Sequence, residues 1–304
     1  MKKLLSFGPI FIVIASILWS LDGLLRVSLY VLPPIIIVFY EHLIGFLFLI
    51  PLLLPKINEI RQVKTRTWGA FAWITLLSSI GGTFFYTAAL GQVQFIQFSV
   101  VVLLQQLEPI FAVSFAALIL REHISRIFIL YVATALVGTY MVSFPNLTIN
   151  FATGQGTLIA AGLAVAAAFS WGSSTAFSRY ALLRTSTIVT TGLRFGLASA
   201  LGLAFIFLFN QQQSLTTLNT NQWLALFAIA LSTGMVALFI YYYGLKRTPA
   251  SVTTILELTW PLSAIVIDYV YFHKTLTATQ VIGALILLFT MYRVSQMRKK
   301  VAKN

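Results

Sequence analysis

A chain of 304 residues with 59% apolar and only 9% charged side chains cannot cover its own surface in water, where a globular domain carries roughly 25% charged residues. Its net charge of +13 lies at the ends of apolar segments and forms no stripe, which excludes a nucleic-acid partner and points to basic retention at a membrane surface. The absence of cysteine excludes a disulfide framework, a thiol nucleophile and a zinc knuckle.

The start, Met1-Lys2-Lys3 and an apolar run from Phe7, resembles a secretory signal. The run continues to about Val31 without a small-x-small cleavage site, so it is read as a first membrane helix over 9–31. Pro33-Pro34 marks the next turn, since proline opens helices but rarely sits inside them, and a second helix follows over 34–54. Spans of about 20 residues then fit 67–89, 95–119 and 124–143, divided by the polar break Gly91-Gln92-Val93-Gln94 and a basic turn at Arg121. After Pro145-Asn146 come 156–178, 187–209, 221–245, 250–271 and 277–297. Thr277 with Gln280 reads as a capping box opening the last one.

Basic residues test this count. With the N-terminus in the cytoplasm, all but three of the 20 lysines and arginines fall at inner ends and loops. Only Lys274 lies in an outer loop, while Arg26 and Arg194 fall inside helices. This alternation predicts ten spans in the cell (plasma or inner) membrane, with both termini cytoplasmic.

A shift of 152 residues lays the first five helices on the last five: Trp19 on Trp171, His42 on Arg194, Gln105 on Glu257, Pro109 on Pro261 and Ser125 on Thr277. The third helix needs a three-residue adjustment. Five is odd, so the second copy enters the membrane the other way up. The expected fold is an all-α integral membrane protein of two inverted five-helix repeats, 1–150 and 151–304, around a central cavity. Two copies that exchange shapes give inward-open and outward-open states with a site near the midplane, which favours a transporter over an enzyme.

Ionisable groups inside a membrane are costly and commonly functional. The spans hold Asp22, Arg26, Glu41, Glu108, Arg194 and Glu257. Glu108 precedes Pro109, and Glu257 lies four residues before Pro261, so each carboxylate sits at a bend with a freed backbone carbonyl. Glu257, Trp260 and Pro261 share a helical face, as do Gln105, Glu108 and Pro109. Glu257 and Glu108 are candidates to take a proton or an ammonium group, with Trp260 as an aromatic wall; a structural pair with Arg194 is the alternative. Arg194 suits a substrate carboxylate through its planar fork or locks helices together. His42 is a packed residue or a proton relay. Asp22 and Arg26, four apart, are read as satisfying each other. Trp19, Trp171 and Tyr86 are further wall candidates, together with the run Tyr241-Tyr242-Tyr243. Small residues from Ala164 to Ser174 allow close helix approach.

The sequences Leu107-Glu108-Pro109 with Leu120-Arg121-Glu122-His123-Ile124-Ser125, and Glu257-Leu258-Thr259-Trp260-Pro261 with Phe272-His273-Lys274-Thr275-Leu276-Thr277, resemble the fourth and ninth helices of EamA-type drug/metabolite transporters. Lys274 departs from the acidic residue usual at that turn. The resemblance spans nearly the whole chain. It implies a cavity between helices 1–4 and 6–9, with helices 5 and 10 as scaffold, and traffic in small metabolites. An amino acid or other amine is the expected cargo, with export slightly favoured and proton coupling or homodimer formation compatible with it. No phosphate-cradling glycine loop, metal cluster or nucleophile elbow occurs, so no cofactor and no enzyme activity are expected. A membrane enzyme or lipid-handling protein on the same bundle is the rival reading.

Overall fold

The computed structural model describes residues 8–22, 25, 29, 31–91, 104, 105, 107–148, 157–270 and 275–301. Among these, every regular element is helical. Helix α1 is Gly8–Ser20 and α2 is Pro34–Leu53, while α3 runs continuously through Thr65–Trp73, Ile74–Gly82 and Thr83–Gly91. They are followed by α4 (Glu108–Leu120), α5 (Arg126–Ser143), α6 (Thr157–Leu182) and α7 (Thr187–Leu208). Helix α8 joins Thr220–Ile229, Ala230–Gly234 and Met235–Leu245, α9 joins Ala250–Glu257 and Thr259–Val270, and α10 is Ala278–Val301. Arg26, Lys274 and the polar break at 92–94 lie outside the described residues, as does most of the first half of the expected fourth span.

Seven of the described helices are long and apolar enough to cross a bilayer, and Gly8–Ser20 and Glu108–Leu120 are shorter apolar helices. The chain is a multi-pass membrane protein. Its surface is apolar: Leu118, Leu130 and Leu285 are each more than 60% exposed. Hydroxyls turn inward instead. Ser174, Thr190 and Thr191 are buried and return their protons to carbonyls four residues back, which satisfies these hydroxyls within their own helices.

Local chemistry sets the ends. Ser125, Ser186 and Asn219 accept backbone N–H groups as N-caps of α5, α7 and α8, and Thr277 with Gln280 forms the expected capping box before α10. Arg121 adopts a left-handed conformation (φ 55°). This stops α4 and carries Glu122 across to α9, where its carboxylate accepts from Ala250 N (2.7 Å), Ser251 N (3.0 Å) and Ser251 Oγ (2.5 Å) and pairs with Arg179 Nε at 3.4 Å. A carboxylate at a helix N-terminus meets both orphan N–H groups and the positive end of the helix dipole. Glu59 likewise accepts the N–H of Ser186 ahead of α7. Beside it, burial and the neighbouring Arg247 pull the Lys246 ammonium below its usual range while Glu59 opposes them.

Helix packing is pairwise: α2 lies on α7, α5 on α10, α4 on α6, α1 on α8, α3 on α6, and α1 on α9. Glycine makes the closest approaches possible. A methyl group on Gly283 of α10 would stand 2.8 Å from the Gly138 carbonyl of α5, and one on Gly172 of α6 would stand 2.5 Å from the Glu108 carbonyl of α4.

Candidate functional site

Two helix breaks and two π turns build the centre of the molecule. Pro261 has no N–H, so the Glu257 carbonyl one turn back loses its partner; α9 breaks at Leu258 and resumes at Thr259. Glu108 and Pro109 open α4, where Ile110 N reaches back to the Leu107 carbonyl (3.0 Å). In α3 and α8 the segments Ile74–Gly82 and Ala230–Gly234 are π-helical. Such turns are rare and concentrate at functional sites.

These irregularities surround a cavity of about 490 Å³. Its wall takes residues from α1, α2, α3, α4, α6, α7, α8 and α9 and from neither α5 nor α10. Trp19, His42, Tyr86, Gln105, Glu108, Pro109, Trp171, Arg194, Glu257, Trp260 and Pro261 all line it. Residues chosen across the chain thus meet at one place.

Glu257 accepts a 2.5 Å hydrogen bond from Tyr241 Oη, which also lies 3.4 Å from Thr175 Oγ1, and the Tyr241 ring rests against Trp19 at 5.0 Å. Neither Glu257 nor Glu108 has a basic partner within ion-pair distance among the described residues. Arg194 does not pair with Glu257: its Nε donates to Ser79 Oγ (2.9 Å), Nη2 to Ser78 Oγ (2.9 Å) and Nη1 to Tyr242 Oη (2.8 Å). Tyr242 Oη in turn meets Ser178 Oγ at 3.1 Å. Trp171 Nε1 donates to the Ser78 carbonyl (3.1 Å), and its ring tilts against Tyr86 at 5.6 Å. Gln105 Oε1 is buried without a hydrogen-bond partner. His42 Nδ1 lies 2.8 Å from the Val38 carbonyl of its own helix and its ring packs on Phe195, while the side chain also borders the cavity.

Asp22, assigned from sequence to a pair within its own helix, accepts from Thr233 Oγ1 of α8 at 2.5 Å; Arg26, its expected partner, lies outside the described residues. Tyr241, from the run expected at the wall, lines the cavity, and so do Asp22, Glu41, Ser78, Ser79 and Thr175; the three hydroxyl residues were not placed in the site from sequence. Single hydroxyls in apolar helices are ordinary. The signal that was available is the adjacency of Ser78-Ser79 to Gly81-Gly82 in a charge-free span.

The model of the EamA-like transporter family matches residues 6–144 and again 158–296. The chain belongs to the EamA-like transporter family. It is 30% identical over 293 residues to the riboflavin transporter ImpX of Fusobacterium nucleatum, covering 95% of this chain and 98% of that protein. It is 26% identical over 253 residues to an uncharacterized transporter of Archaeoglobus fulgidus, covering 83% of each. A crystal structure with 20% sequence identity shares the fold, with a TM-score of 0.76 over 96% of this chain and 98% of its own. The protein is therefore a transporter of this family, whose known members among these relatives are transporters rather than enzymes.

Proposed function

We propose that this transporter carries a flat heteroaromatic solute of the riboflavin kind by alternating access, without ATP, between two inverted five-helix repeats at 1–150 and 151–304. The carrying observation is a cavity of about 490 Å³ walled by Trp19, Trp171 and Trp260 and furnished with Arg194, Glu108 and Glu257. Its volume falls among pockets that take drug-sized ligands, roughly 300–1,000 Å³, and is generous for one amino acid. The indole faces suit a stacked ring system. Arg194 suits ring carbonyls, and the two carboxylates suit hydroxyl or ring N–H donors. The relative named as a riboflavin transporter supports the same class.

The inverted arrangement draws support from packing. Moving every helix on by five turns α1–α8 into α6–α3 and α4–α6 into α9–α1, and returns α2–α7 and α5–α10 to themselves. Ten spans with both termini cytoplasmic in the cell membrane fit this arrangement and the basic ends. Direction then follows the gradients rather than the fold, and export is one setting of them.

An amine-bearing cargo is the second reading, favoured by two cavity carboxylates without a basic partner. Proteoliposome uptake separates the two: riboflavin accumulation supports the first, and transport of amino acids with none of riboflavin supports the second. The same assay tests proton coupling. Glu257→Gln is expected to lower transport and flatten its pH dependence, and unchanged rates and pH profile would remove Glu257 from the mechanism.

A further inference from the structure

The π turn of α3 does two things that an α-helical turn at the same place would not. A π turn shifts the backbone register and leaves a carbonyl without its usual partner; here the Ser78 carbonyl is taken by the Trp171 indole at 3.1 Å. It also presents two consecutive side chains to one neighbour, since Ser78 Oγ and Ser79 Oγ both accept from Arg194 at 2.9 Å. Gly82 closes the turn, and the Trp171 indole occupies the space that a side chain there would fill.

The charge of Arg194 adds the second half of the argument. Its three protein partners are all neutral hydroxyls, and no carboxylate lies within ion-pair distance of it among the described residues. A guanidinium carries five N–H donors in a rigid fork. The three bonds leave one hydrogen on each terminal nitrogen, on a side chain that lines the cavity. A cation held by hydroxyls alone keeps its charge available to a ligand, whereas one locked to a carboxylate does not.

We infer that Ser78 and Ser79 are positioning residues: the π turn they occupy holds Arg194 and Trp171 as one clamp, an aromatic face beside a two-donor fork. The ligand edge this clamp accepts is planar and bears two adjacent acceptor atoms, such as a ring carbonyl beside an unprotonated ring nitrogen in a flavin, or an aromatic carboxylate. The serines act through Arg194, whose guanidinium they both accept from. The choice of ligand rests on the proposed function, while the geometry of the clamp does not.

The test uses the full chain in nanodiscs with riboflavin as probe, read by quenching of flavin fluorescence. Removing both hydroxyls, Ser78→Ala with Ser79→Ala, is expected to weaken binding about tenfold, the scale of a hydrogen bond to a charged group. Ser78→Thr with Ser79→Thr is expected to retain it. In an Arg194→Gln background the alanine pair should add nothing, because the serines have no guanidinium left to hold. An equal loss in both backgrounds overturns the proposal. A ligand-free readout stands beside it: the rate at which phenylglyoxal modifies Arg194, followed by peptide mass spectrometry. Freed from the serines, Arg194 should react several-fold faster; an unchanged rate overturns the clamp. Faster modification in a protein that does not bind riboflavin upholds the clamp and removes the flavin reading.

Discussion

Gly82 and Gly69 lie in the same helix and predict opposite outcomes for the same change. A methyl group at Gly82 would collide with the Trp171 indole, standing 2.7 Å from Cδ1 and 2.8 Å from Cε2, whereas nothing lies within 4 Å of one at Gly69. The indole is itself fixed by its bond to the Ser78 carbonyl and cannot swing aside cheaply. Gly82→Ala is therefore expected to cost about 1–3 kcal/mol, as overpacking does, and to impair transport through Trp171. Gly69→Ala is expected to stabilise by up to about 1 kcal/mol, because alanine restricts the unfolded chain. Thermal unfolding in detergent measures both, and equal shifts for the two variants would contradict this account of Trp171.

At the scale of the element, the breaks in α4 and α9 are what bring carboxylates and free carbonyls to the cavity. Pro261→Ala restores an N–H that can bond the Glu257 carbonyl and straighten α9. Stability is expected to hold or rise while riboflavin uptake falls, a combination that distinguishes a working bend from a structural defect. An uptake rate that survives straightening would show the bend to be dispensable. These breaks were legible in sequence because proline announces itself, and the helix ends were legible through caps such as Thr277 with Gln280 and through Pro33-Pro34. The π turns were not. Ile74–Gly82 is nine residues and Ala230–Gly234 is five, and no residue type marks such a turn. Without the π turn, Ser78 and Ser79 have no reason to face Arg194 together, so the partners of Arg194 could not be read. The Asp22–Thr233 bond was hidden for a related reason: spacing along a helix reveals partners within it, and Thr233 lies on another element.

Across the whole molecule, the two halves are not equal at their ends. Glu59 and Glu122, both in the first half, reach the starts of α7 and α9 in the second. The residues 152 positions later are Gln211 and Lys274, neither of which can supply a carboxylate. The end of the molecule bearing Glu122 is tightly shut: Thr248, Ala250, Ser251 and Thr253 are fully buried, and the Glu122 and Arg179 side chains are 7% and 13% exposed. If it works by alternating access, a transporter whose helix starts are tied by carboxylates at this end should rest closed there. Glu122→Ala leaves two helix N–H groups and the Arg179 guanidinium without their shared acceptor and tilts the equilibrium toward opening there. Because the chain has no cysteine, a single Thr253→Cys reports this directly. Labelling by a membrane-impermeant maleimide is expected to be slow with Glu122 intact and about tenfold faster in Glu122→Ala, the ratio that about 1.4 kcal/mol of lost bonding produces. Glu122→Asp, which keeps the charge on a shorter arm, should fall between. Equal labelling in all three would mean that the end is held shut by apolar packing alone, and that the asymmetry of the carboxylates does not set the resting state.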